Sequence, residues 1–153
     1  MPAVYDFVHQ VDAAEIDELG HVGNLRYLAW IVDAATAHSS AEGWPPARYH
    51  ELGACWVVRS HAIEYLRPAF AGEAIVVRTW VAEIRRVESR RRYRILRPAD
   101  GALLATAETR WIWVGVPSLQ PRRIPPEVAG AFTAIDDPGD DAPAAAGRPP
   151  TGS

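Results

Sequence analysis

Between Asn24 and Glu42 the chain contains no proline, and Leu25, Leu28, Ala29, Ile31, Val32, Ala34, Ala35 and Ala37 spread apolar side chains over most of a helical circumference. Gly43 and then Trp44-Pro45-Pro46 end the segment, as glycine and proline end helices. A helix apolar nearly all round has to be covered on most sides. Beyond it the chain turns strand-like and rich in Val, Ile, Trp, Tyr and Thr, over Ala54–Leu66, Ala74–Arg85, Arg90–Arg97 and Leu103–Val116. Residues 4–11 mix alternation with β-branched and aromatic residues and add a strand before the helix. The separators are short, and Asp100-Gly101 is a strong turn signal, so antiparallel neighbours are expected. A single buried helix among five strands requires the sheet to curl around it. Ala47–Leu52 and Pro125–Phe132 are read as short helical pieces.

The chain has 153 residues and 48% apolar content, enough for one domain with a proper core. The domain is placed at residues 1–135, and 136–153, rich in Pro, Ala, Gly and Asp, is read as a disordered tail. That tail holds Asp136, Asp137, Asp140 and Asp141 against Arg148 alone, which accounts for the whole net charge of −3. The rest is formally neutral, which argues against general nucleic-acid binding. No run is long enough to span a membrane and no signal-peptide pattern opens the chain, so a cytoplasmic protein is expected. Cys55 is the single cysteine, which excludes an internal disulfide and a Cys-cluster zinc site. His9, His38, His50 and His61 show no metal-ligand spacing, so no metal is expected. All 16 basic residues are Arg, which excludes lysine catalysis.

Chemistry concentrates just ahead of the helix. Asp17-Glu18-Leu19-Gly20-His21-Val22-Gly23-Asn24-Leu25-Arg26-Tyr27 sets a carboxylate, glycines, a His and an Asn beside a helix start. Such a start presents unpaired N–H groups and partial positive charge. A carboxylate there can attack a carbonyl, or activate water against it, while the N–H groups hold the carbonyl oxygen. Asp17 is the candidate catalyst, against the alternative of a capping role. His21 would position Asp17 or water, or serve the loop structure. Asn24 would cap the helix, orient a carbonyl, or both. Gly20 and Gly23 would permit unusual dihedrals. Asp33 and Glu64 are rival carboxylates, with pairing to an Arg the commoner fate of lone acids.

Two submotifs in this stretch resemble the hotdog-fold thioesterases, the 4-hydroxybenzoyl-CoA thioesterase family and its acyl-CoA and acyl-ACP relatives. Asp17-x-x-Gly20 with Tyr27 and Trp30 is similar to one branch, and Gly20-His21-Val22-x-Asn24-x-x-Tyr27-Leu28-x-Trp30 to the other. Gly43-Trp44-Pro45-Pro46 and Tyr65-Leu66-Arg67-Pro68-Ala69 add to the likeness, which spans about residues 4–125. Leu19 and Gly23 depart from it, standing where some relatives carry polar helpers.

The resemblance implies an α+β hotdog fold, a five-stranded antiparallel sheet wrapped around a central buried helix. It also implies a homodimer with sites at the subunit interface, and dimers of dimers are common. The implied activity is hydrolysis of an acyl- or aroyl-thioester of CoA or acyl carrier protein. No cofactor is implied; the CoA or phosphopantetheine group belongs to the substrate. Catalysis would fall to Asp17, His21 and Asn24. Leu25, Arg26 and Tyr27 would form the oxyanion and substrate site, with Trp44 and Trp56 walling an acyl or aryl pocket. Phosphate binding would fall to Arg67, Arg90, Arg91 and Arg92. Strand alternation puts Arg90, Arg92 and Arg94 on one face and Arg91, Tyr93 and Ile95 on the other. The alternatives are an acyl-thioester binding or sensing module, and a hotdog hydratase or dehydratase.

Overall fold

The computed structural model of the chain describes residues 3–138. Strand β1 (Val4–Gln10) leads through a 3-10 turn (Ala13–Glu15) to helix α1 (Asn24–Ala41) and the short helix α2 (Pro46–Leu52). Strands β2 (Ala54–Tyr65), β3 (Ala74–Arg85), β4 (Glu88–Arg97) and β5 (Ala102–Gly115) come next, with α3 (Pro126–Ala129) after them. The five strands form one sheet in the order β1-β3-β4-β5-β2, every pair antiparallel. This is the hotdog arrangement expected from the sequence, with β1 and β2 at the edges. No helix among the described residues is long and apolar enough to cross a membrane.

Helix α1 lies on the concave face. Tyr27, Trp30, Ile31, Ala34 and Ala35 pack against Ile75 and Val77 of β3, Tyr93 and Ile95 of β4, and Leu104 and Ala105 of β5. Burial of such side chains contributes about 25 cal/mol per Å² of apolar surface removed from water. The expectation of a helix covered on all sides is not met within one chain. Leu25, Ala29, Asp33, Thr36 and Ser40 are all exposed. The sheet curls over one side only, and the small residues Ala29, Thr36 and Ser40 form much of the open side.

Along β4 burial alternates strictly from Glu88 to Ile95. Arg91, Tyr93 and Ile95 point toward the helix, and Arg90, Arg92 and Arg94 point away. Across the convex face, Arg92 donates to Glu108 at 3.0 Å and Arg110 to Glu88 at 2.7 Å. Beneath the same face, Arg78 forms a bidentate pair with Asp6, its cross-strand partner, with both residues buried.

The first residues of the segment read as a tail contact the sheet. Ile135 N–H bonds to Val81 O beside β3, and Asp136 O accepts from Trp80 Nε1 and Arg92 Nη1. Asp137 accepts from Arg94 at 2.9 Å. Residues 139–153, most of the segment read as disordered, lie outside the described residues.

Candidate active site

The loop between the 3-10 turn and α1 is a small hairpin. Ile16 and Val22 form an isolated antiparallel bridge. At its tip Asp17 N–H bonds to His21 O, and Gly20 N–H to Asp17 O. Gly20 has φ +86°, a left-handed conformation that glycine adopts without strain. Asp17 Oδ1 accepts the Leu19 N–H at 2.8 Å, an Asx turn made within the loop. Its other oxygen faces His21 Nδ1 at 3.9 Å, a distance for charge attraction and too long for a hydrogen bond. The Asp17 carboxylate is therefore a loop group and not a helix cap.

The N-cap of α1 is Gly23, with φ −67° and no side-chain capping bond. This corrects two expectations. Asn24 opens the helix where its start was expected but does not take the capping role, and Gly23 has ordinary dihedrals. With no cap, the N–H groups of Asn24 and Leu25 have no partner among the described residues, whereas Arg26 N–H is committed to Gly23 O at 3.0 Å. Two donors thus remain at the helix head, reinforced by the helix dipole. A Cβ built on Gly23 would sit 3.8 Å from the Asp17 Cβ, so the carboxylate stands beside that head.

Glu15, which sequence reasoning passed over, anchors this arrangement. Its carboxylate accepts from Asp12 N–H at 3.0 Å and Trp30 Nε1 at 2.7 Å, and pairs with His9 Nε2 at 2.7 Å. Its backbone oxygen accepts the Gly23 N–H. Burial opposes ionisation of Glu15, but these donors outweigh it and hold the carboxyl below its usual range. The sequence signal was Asp12-x-x-Glu15, which forms a capping box.

The remaining expected site residues separate. Leu25 is exposed, and Arg26 Nη2 reaches Ala14 O. Tyr27, expected to pack with its hydroxyl at the pocket edge, lies in the core against Trp30 and Tyr65. The Tyr65 hydroxyl donates to Asn24 O at 3.1 Å and ties the end of β2 to the helix start. Arg67, two residues on, is exposed, and no acceptor among the described residues holds its side chain. Arg90 and Arg92 both meet Glu108, while Arg91 is buried on the opposite face, so the three do not form one patch. Asp33 and Glu64 are not buried and carry no Arg partner among the described residues.

Trp44 and Trp56 line a cavity of about 540 Å³, but at the far end of α1 from Asp17. Ala35, Thr36 and Ser39 of α1 contribute to its wall. Ala35 lies roughly 16 Å along the axis from Asn24 at the helical rise. Ser39 Oγ bonds to Trp44 O and Tyr49 Oη, and Trp56 Nε1 donates to Tyr49 Oη. Buried Arg91 lies in the same wall and was not anticipated there.

Residues 11–132 match the profile of the thioesterase-like superfamily. The chain belongs to that superfamily. It is also 30% identical to the candidate acyl-CoA thioesterase YneP of Bacillus subtilis (strain 168), over 73% of this chain and 80% of YneP. Among solved structures it is similar to Slr0204, a 1,4-dihydroxy-2-naphthoyl-CoA thioesterase from Synechocystis. That match has TM-score 0.79 and 20% identity, and covers 88% of this chain and 99% of the other. The Thermus thermophilus protein TT1821 matches at TM-score 0.75 and 28% identity, over 86% and 97% of the two chains. This superfamily member is a thioester hydrolase, and its hotdog sheet is the one those structures share.

Proposed function

We propose that the protein hydrolyses acyl- or aroyl-CoA thioesters, with Asp17 as nucleophile or general base. The observation that carries this reading is the Asp17 carboxylate beside a helix head whose two leading N–H groups are unspent. A thioester carbonyl oxygen placed on the Asn24 and Leu25 N–H groups would present its carbon to Asp17. Attack by the carboxylate, or by water that Asp17 deprotonates, moves charge onto that oxygen, where the donors and helix dipole stabilise it. Collapse breaks the C–S bond and releases thiol, and the water oxygen ends in the acid. His21 would steer the carboxylate. Arg67 is the best placed arginine for the phosphates of CoA, because Arg90 and Arg92 already face Glu108. A carrier-protein thioester is the alternative substrate, and no cofactor is required.

The working unit in this proposal is a homodimer, open to further pairing into a dimer of dimers. Strand β2 is a long open edge with Val58, Tyr65 and Leu66 exposed on or just beyond it. Such edges favour pairing with another strand. Antiparallel pairing of two β2 strands about a two-fold axis sets the end of one beside the start of the other. Tyr65 is tied to the helix head, and Cys55 and Trp56 line the cavity. The pairing therefore brings the Asp17 loop of one copy toward the cavity of the other, which a single chain keeps apart.

Thiol release from a panel of acyl-CoA and acyl-carrier thioesters tests the reading, with Asp17→Asn as control. Turnover by the wild type that vanishes in the variant supports it. Binding without turnover, unaffected by the variant, would instead identify a binding module.

A further inference from the structure

The cavity at the far end of α1 is walled by Trp44, Tyr49, Trp56, Trp111 and Phe132, and Arg91 is the single arginine in its lining among the described residues. Arg91 is 5% exposed. Its Nη1 meets His38 Nδ1 at 2.8 Å and Thr79 Oγ1 at 3.1 Å, and its guanidinium lies 5.8 Å from the centre of the Phe132 ring. Nε and Nη2 make no hydrogen bond to any described residue. No carboxylate lies within 4.0 Å of the group among the described residues. Glu42 stands behind the imidazole, 3.6 Å from His38 Nε2. Burial, and then the Arg91 charge, hold the His38 pKa down to about 3, so the ring is neutral and accepts from Arg91.

Arg78 shows what this protein does with a buried guanidinium that serves structure alone. At 7% exposure it gives Nε to Asp6 Oδ1 at 2.9 Å and Nη2 to Asp6 Oδ2 at 3.1 Å. The corresponding edge of Arg91 makes no bond to a described residue, and Arg91 belongs to the cavity lining. Taking a guanidinium out of water is expensive unless an anion compensates it, and the Nε–Nη2 edge matches a carboxylate in two parallel bonds. A phenol oxygen would meet only part of that edge.

We infer that Arg91 receives a carboxylate carried by the acyl group at the end remote from the thioester, so that the substrate class is the monothioester of a dicarboxylic acid. This rests on the thioesterase reading and on the paired arrangement that joins cavity to Asp17. The aromatic walls hold the carbon chain, and Arg91 reads its terminus. A methyl terminus would leave the Nε–Nη2 edge without a partner, which is how a polar site rejects an analogue lacking its partner group.

The test compares kcat/KM for adipoyl-CoA and hexanoyl-CoA, matched in chain length, in wild type, Arg91→Met and Arg91→Lys. The wild type should prefer adipoyl-CoA by about 10- to 100-fold. In Arg91→Met the ratio should fall to about one, and Arg91→Lys should retain part of it. Equal use of both substrates by the wild type, or an equal loss on both in the variants, overturns the inference. So does an Arg91-dependent preference for 4-hydroxybenzoyl-CoA over adipoyl-CoA. If Arg91→Met does not fold, the wild-type ratio and Arg91→Lys decide. If no thioester is hydrolysed, the proposed function fails separately, and Trp fluorescence titration with hexanoate against hexanamide addresses the cavity alone. Hexanoate binding that Arg91→Lys weakens sustains the carboxylate site, and equal response to both ligands removes it.

Discussion

The two ends of α1 are built on opposite plans. At the head, Asp17, His21 and two free N–H groups stand at the surface, held by short-range loop bonds and by Glu15 beneath. At the tail, aromatic side chains wall a cavity, and Ser39, Ser89 and Arg91 of its lining are buried. The head has the features of a place where charge develops and is stabilised. The tail has those of a place where a chain is gripped and read. The contrast teaches that a single chain keeps the acid at the helix head and the cavity apart, which is why the proposed function pairs two copies through β2.

The sharpest way to break the comparison is at the head. Asp17→Asn should lower kcat by at least about 10³-fold, roughly 4 kcal/mol of barrier, with the melting temperature unchanged. Steady-state kinetics beside a thermal melt checks it, and a loss under tenfold would remove Asp17 from the chemistry. Next in size is the support under the head. Glu15→Ala leaves the buried Trp30 Nε1 without its acceptor and should cost about 1–3 kcal/mol of stability, measured by urea unfolding. It should also lower kcat while leaving cavity binding intact.

The tail end is tested by acid. The folded-state pKa of His38 is depressed, so the unfolded chain takes up the proton first as pH falls. Stability is then fully present above about pH 6.5 and is lost toward pH 3 with a slope of up to about 1.4 kcal/mol per pH unit. Denaturation across that window should show His38→Gln with the shallower slope, and identical slopes would place the acid sensitivity elsewhere. Far from both ends, Asp137→Ala removes a surface ion pair to Arg94 and should change stability by less than about 1 kcal/mol with kinetics unchanged.

Much of this was legible in the chain. The strand limits came from alternation and turn residues, and β3 matches its expected span, Ala74–Arg85. Asp17 could be put forward as a candidate because it stands just before the helix start, within the submotif that resembles the thioesterases. The helix cap was misplaced because Asn24 is a favoured capping residue by type, whereas the hairpin of Ile16 and Val22 sets the chain direction and leaves Gly23 at the cap. Period-two alternation already set Arg91 apart from Arg90 and Arg92, yet a run of arginines reads as one solvated patch until the cavity is seen. The short acidic stretch at Asp136 and Asp137 looked like tail by composition, since the cations that hold it, Arg92 and Arg94, lie far away in sequence.

Cys55 lines the cavity wall and is the chain's single thiol. An acyl group lodged between Trp44 and Trp56 would shield it from a maleimide, and product release would bare it again. With no other sulfhydryl to compete, labelling stoichiometry tops out at one per chain. The unaltered protein thus comes with a built-in gauge of how often its cavity is filled.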